Sequence, residues 1–210
     1  MWPDEGLKRK IECLLDIFAE NIYSSEGFCW TEFDVNWQPL ISEVSYGHDI
    51  ETSWLLKETL DICQIKNEKI EQMTLKLAEY VLEHGLDEYG ALYNHYHFQT
   101  KKTDRTRVWW VQAEAVVGFY HAYQITGDET FLAAANKVWL YIQTFFIDKR
   151  SNSEWFSRLD AHNQILSSKL ENDGSSLEPI SDSWKGPYHT VRMYIEIIER
   201  LGGKGNDGME

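Results

Sequence analysis

Two histidines lie where helices are expected to begin, and both have neighbours suited to proton transfer. His48 sits in the stretch Ser45-Tyr46-Gly47-His48-Asp49-Ile50-Glu51, and His189 in Trp184-Lys185-Gly186-Pro187-Tyr188-His189. On a helix, His48 and Glu51 are three residues apart and share a face. A carboxylate one turn from an imidazole can hold its tautomer or raise its pKa, as a general base requires. Pro187 presets the backbone for a helix start, so His189 is expected to be held rigidly. A helix N-terminus disfavours the imidazolium and would keep this base neutral. The plainer alternative for each histidine is a helix cap.

Trp109 and Trp110 open an apolar segment that ends its first turns at Glu114. Adjacent helical residues point about 100° apart, so one Trp is expected to face the core and the other the pocket. Trp184 precedes His189 in a loop, and an indole face stacks on the apolar face of a sugar ring. Core packing is the alternative for all three. Glu114, a carboxylate on an apolar helix, must be paired or belong to a site. His84, His95, His97, His121 and His162 have no comparable setting. His95 and His97 alternate as on a strand, but no third ligand is spaced to complete a metal site. The sequence has no phosphate-cradling glycine loop, nucleophile elbow or zinc-protease motif.

The elements that must position these residues are helical. Apolar residues recur at helical spacing from Leu7 to Phe18, with a first helix ending near Asn21. Further helices are expected from just after Gly47 through Ile62, from about Asn67 to His84, from Val108 to Tyr123, from about Glu129 to Phe146 and from about Tyr188 to Leu201. Gly85 is expected to close the third in the left-handed conformation, and Gly127 closes the fourth. Short strands are expected at Gly27–Phe33 and Glu154–Asp160. The stretch from Lys149 to Ser183 reads as a long polar lid or binding loop. Asn172–Ser176 reads as a surface loop and residues 202–210 as a frayed tail. With no βαβ alternation, the fold class is all-α, in helical hairpins with short β-hairpin loops.

The chain has 210 residues, enough for one domain over 1–210 with its own core. Its net charge of -14 argues against nucleic acid and against an anionic membrane surface. No apolar run reaches the ~20 residues that cross a bilayer. Cys13, Cys29 and Cys63 have no metal-ligand spacing and suggest a reducing compartment. The chain opens unlike a secretion signal, so a cytoplasmic location is expected.

Three stretches, Ser45–Leu56 (SYGHDIETSWLL), Trp109–Glu114 (WWVQAE) and Trp184–Arg192 (WKGPYHTVR), resemble the N-acylglucosamine 2-epimerase family, and within it the cellobiose 2-epimerase branch. The resemblance implies an (α/α)6 barrel of twelve helices, of which this chain matches the C-terminal half. It implies a cofactor-free, metal-free epimerisation at C2 of the reducing-end sugar of a disaccharide, interconverting glucose and mannose. His48 and His189 would be the proton-transferring pair. Glu51 would support His48 and bind sugar hydroxyls, Glu114 would belong to the pocket, and Trp184 with one of Trp109 and Trp110 would stack on the disaccharide. Acetamido-sugar epimerases and aldose–ketose isomerases share the scaffold.

Half a toroid is expected to expose apolar helix faces. A homodimer, or a partner chain supplying the other half, is therefore expected. Two further readings compete. A glycoside hydrolase or lyase would use two carboxylates, for which Glu51 and Glu114 are the candidates. A non-catalytic carbohydrate-binding or assembly module would use neither.

Overall fold

The computed structural model describes residues 4–166 and 179–202. Six α-helices carry the architecture: α1 Glu5–Ile17, α2 Tyr46–Cys63, α3 Glu68–His84, α4 Trp109–Thr126, α5 Glu129–Tyr141 and α6 Tyr188–Gly202. α4 is central and packs against α2, α5 and α6. Its sequence explains this. Residues 109–119 are buried without interruption, and a helix apolar on every side has to be covered on every side. α1 and α3 are amphipathic instead. Leu15 of α1 and Phe18 just beyond it meet Leu60, Ile70 and Leu77 in a second apolar cluster. The result is the half-barrel of helical hairpins that the sequence leads one to expect. No described helix is long and apolar enough to cross a membrane.

Caps fix three helix starts. The side chains of Asp4, Asn67 and Asp128 accept backbone N–H bonds at the N-termini of α1, α3 and α5. α2 is different: Ser45 occupies the cap position, but its side chain makes no cap bond. Two small sheets pin the helices that lack such caps. β1 (Glu43–Ser45), β2 (His95–His97) and β3 (Lys102–Asp104) form an antiparallel sheet that aligns Ser45, His95 and Asp104. β1 runs directly into α2. β4 (Arg107–Val108) pairs with β5 (Arg158–Leu159) and runs directly into α4.

Several expectations fail locally. Gly27–Phe33 is not a strand. It is a pair of turns closed by single bridges, Tyr23 with Cys29 and Phe33 with Pro39. Within the second, the Asp34 carboxylate accepts the Asn36 and Gln38 N–H groups and so competes with ladder bonding. The last turns of the first and fifth helices widen into π-turns, Phe18–Ile22 and Ile142–Phe146. Gly127 does take the left-handed conformation, at φ 71°. Gly85 does not, at φ -96°. Its missing side chain serves packing: a Cβ there would stand 2.8 Å from the Tyr46 ring. The strand expected at Glu154–Asp160 shortens to β5. From Lys149 to residue 166 the polar stretch is ordered by side-chain turns. Asp148 accepts from Arg150 and Ser153, and Asp160 from the N–H groups of His162 and Gln164. The loop expected at Asn172–Ser176 and the tail beyond Gly202 lie outside the described residues.

Candidate active site

α2, α4 and α6 all begin at one end of the half-barrel, and a cavity of about 410 Å³ opens there. Its walls are His48 and Glu51 from α2, Trp109 and Trp110 from α4, Tyr188 and His189 from α6, and Trp184 and Gly186 from the loop before α6. The two histidines, far apart in the chain, thus share one cavity. Both rest on the same indole: the Trp110 ring lies 4.9 Å from the His48 ring and 5.3 Å from the His189 ring, centroid to centroid.

Their hydrogen-bond partners differ. Nδ1 of His189 lies 2.7 Å from Oε1 of Glu114. A carboxylate only accepts, so this contact places the ring proton on Nδ1 and leaves Nε2 bare. Nδ1 of His48 lies 2.7 Å from the hydroxyl of Ser45. The His48 pKa is pushed below the ordinary imidazole value by burial. The nearby Glu51 charge pulls it up, and His189 adds to the depression. Burial thus favours the neutral ring and makes a protonated His48 ready to give its proton up.

Glu114 is buried, with 1% exposure, and fully satisfied. Oε2 accepts from Trp54 Nε1 at 3.1 Å, and Oε1 accepts from Arg192 Nη2 at 2.6 Å as well as from His189. Arg192 also donates to Glu51, while its Nη1 donates to the Tyr188 hydroxyl at 2.7 Å. Its guanidinium lies over the rings of Tyr188 and Trp54, at 4.6 and 5.1 Å. Burial works against that charge, but the bonds to Glu114 and Glu51 outweigh it and raise the pKa above the ordinary arginine value. Glu51, Glu114 and His189 present ligand-type atoms within 4.8 Å of one another. Arg192 bonds to both carboxylates and supplies the positive charge there.

Trp184 stands half out of the cavity mouth. Its ring meets the Trp109 ring edge-on at 4.6 Å, and Arg158 covers it at 4.6 Å. Asp182 builds the turn beneath it by accepting the N–H groups of Trp184 and Lys185, each at 2.7 Å. Lys185 is buried; it donates to the Ile180 carbonyl at 2.6 Å within the loop and lies 3.6 Å from the Glu154 carboxylate, which ties the loop to the body.

His48, Glu51, Trp109, Trp110, Trp184 and His189 thus line one cavity, with Glu114 directly behind His189. Two details depart from expectation. The side-chain partner of His48 Nδ1 is Ser45 rather than Glu51, because the register of β1 brings the Ser45 hydroxyl to the ring while Arg192 claims the Glu51 carboxylate. Trp109 and Trp110 both face the cavity, because α4 is enclosed on every side and its first turn closes the cavity floor. Sequence reasoning missed Ser45, Trp54, Arg192 and Tyr188. Arg192 stands at i+3 from His189, the same spacing that singled out Glu51, so that signal was present. His95 and His97 lie on β2 outside the cavity, where His97 Nδ1 is 2.9 Å from Glu43.

A family model for N-acylglucosamine 2-epimerase (GlcNAc 2-epimerase) matches residues 3–177. A cellobiose 2-epimerase of Dictyoglomus turgidum is 42% identical over 202 residues, covering 94% of this chain and 48% of that protein. A cellobiose 2-epimerase of Ruminococcus albus is 40% identical over 158 residues, covering 74% and 38%. The solved structure of cellobiose 2-epimerase from Bacillus thermoamylovorans superposes with a TM-score of 0.86 at 38% identity, covering 95% of this chain and 48% of that one. The chain thus spans about half the length of its similar relatives. On the family match, the shared architecture and the six helices, it is a half-barrel member of the N-acylglucosamine 2-epimerase family.

Proposed function

We propose that this chain carries the proton-transfer half of a sugar 2-epimerase acting on the reducing end of a disaccharide such as cellobiose. The observation that carries the reading is the pair of imidazoles, far apart in the chain, resting on one indole in one cavity. With the sugar ring open, Nε2 of His189 takes the proton from C2. The bonding pair moves into C1–C2 and the carbonyl electrons onto O1, giving an enediolate. After rotation about C2–C3, the imidazolium of His48 returns a proton to C2 from the other face. His189 ends with one proton more and His48 with one fewer, and exchange with water restores both. Trp184, edge-on to Trp109, offers an apolar platform for the second sugar. The family also supports the acetamido-sugar epimerase and aldose–ketose isomerase readings, the first differing in substrate and the second in returning the proton to C1 instead of C2.

Hydrolysis is a weaker reading. It needs one carboxyl free to give a proton to the leaving group, whereas both candidates, Glu51 and Glu114, are bonded to Arg192. Incubation of the completed barrel, this chain joined by its complementary half, with cellobiose in deuterated water decides among the readings. Deuterium at C2 with a mannose-ended product is expected. Cleavage would support a hydrolase, and an unchanged sugar a binding module.

The activity rests on a completed barrel. On α6, Ile198 and Leu201 are exposed, and with Met193, Tyr194 and Ile197 they border an apolar groove of about 300 Å³ against α4 and α5. A face of this kind is normally covered. Relatives carry about as much chain again as the part matched here. The occupant we assign is that complementary half-barrel. Unpaired thiols at Cys13, Cys29 and Cys63 suit a reducing compartment, and we place the protein in the cytoplasm.

A further inference from the structure

Ser45 stands at the start of α2, where a serine ordinarily bonds the free N–H groups of the first turn. It does not do so here. Its hydroxyl is turned to Nδ1 of His48 at 2.7 Å, and the residue is 2% exposed, so solvent does not compete for it. Pairing of Ser45 with His95 across β1 and β2 fixes the backbone that holds it. A helix cap has been given up for a contact with an imidazole. That diversion is the independent sign that the contact matters.

The two histidines therefore have partners of different strength. His189 faces a buried carboxylate, and His48 a neutral hydroxyl. Both partners can accept an Nδ1–H, but only the carboxylate carries a charge, which it shares with Arg192. We propose that Ser45 is a positioning residue that holds His48 as the Nδ1–H tautomer, with Nε2 facing the cavity and no carboxylate on Nδ1. On the epimerase reading His189, with a carboxylate on its Nδ1, takes the proton and His48 gives it. The charged or titratable groups facing His48 are Glu51 on its own helix, His189 from α6 and His95 from β2. None of these bonds its Nδ1. The part of the proposal that assigns acceptor and donor rests on the epimerase reading. The tautomer does not.

Nitrogen-15 NMR of the ring nitrogens in the whole chain tests this without any turnover. The expected wild-type spectrum shows His48 with a protonated Nδ1 and a bare Nε2 at pH 8. Ser45→Ala should shift His48 toward the other tautomer. Ser45→Asp should raise the His48 pKa by about one unit or more, by supplying the carboxylate that His189 already has. If Ser45 serves structure alone, Ser45→Ala lowers stability and leaves the His48 shifts in place, which overturns the proposal. A wild-type His48 protonated on Nε2 overturns it equally, and this needs no variant to fold. Deuterium incorporation at C2 is a separate measurement, so failure of the epimerase reading and failure of the Ser45 role are told apart.

Discussion

Oε1 of Glu114 lies 2.7 Å from Nδ1 of His189, although 75 positions separate them in the chain. The same oxygen receives Arg192, and the other receives Trp54. One carboxylate therefore orients a base, neutralises a guanidinium and anchors an indole.

Glu114→Gln removes the charge and keeps the shape. Arg192 then has Glu51 as its only carboxylate partner, and His189 faces an amide that can accept or donate, so its tautomer is no longer fixed. Breaking a buried pair of this kind costs about 3–5 kcal/mol. Urea titration should show that loss. Deuterium exchange at C2, measured in the completed barrel, should fall by about 10²-fold or more. Wild-type stability with unchanged exchange would remove Glu114 from the site.

Asp49 predicts a pH dependence. It is buried beside Cys29, whose N–H donates to Oδ1 at 3.0 Å, while Oδ2 has no partner. Burial pushes its pKa from 3.8 to about 8, and the Cys29 bonds offset only part of that. The folded state thus holds a proton that the unfolded chain releases near pH 4. This contribution is complete below pH 4 and lost as pH rises to 8. Across that window stability should fall by about 1.4 kcal/mol per pH unit from this group. Asp49→Asn should remove that component of the slope, as read by urea midpoints at pH 5, 6.5 and 8. An unchanged slope would show that Asp49 is ionised in the fold.

At Gly47, α2 lies close against α4. A Cβ at that position would lie 2.6 Å from Val111 Cγ2 and 2.7 Å from the Trp110 ring. Gly47→Ala must displace the indole on which both imidazoles rest. The expected cost is about 1–3 kcal/mol, with a shift in tryptophan emission. A variant with wild-type melting and emission would mean that α2 and α4 part freely.

The exposed face of α6 predicts a partner. Mixed with the unmatched half of the Dictyoglomus turgidum relative, the chain should form a one-to-one complex by light scattering. Ile198 is 68% exposed, so Ile198→Glu should leave the melting temperature of the isolated chain unchanged while abolishing the complex. A homodimer insensitive to that change, or a monomer that ignores the added half, would count against the assigned occupant.

The helices were legible because their apolar spacing is local. α3 and α4 fall within a few residues of where periodicity puts them, and the aromatic and histidine motifs mark the helix starts that meet at the cavity. What stayed hidden was long-range. Nothing near Glu51 in the chain says that its carboxylate will be claimed by Arg192, 141 positions away. Nothing in Ser45 tells a cap from a side-chain partner until β2 has fixed β1. Gly85 carried the signal of a left-handed cap, and only the Tyr46 ring explains why it is glycine. Gly27–Phe33 looked like a strand because its aromatics do pack, yet the Asp34 side chain takes up the N–H groups of Asn36 and Gln38.

Because His189 and Arg192 both ride on α6, the last element of the described chain, the cavity has no fourth wall until that helix docks. Local hairpins can form early, but closing a contact across 141 residues is slow and comes late. A refolding experiment should therefore recover helicity before it recovers a binding-competent cleft, and the interval between the two would time the arrival of the C-terminal helix.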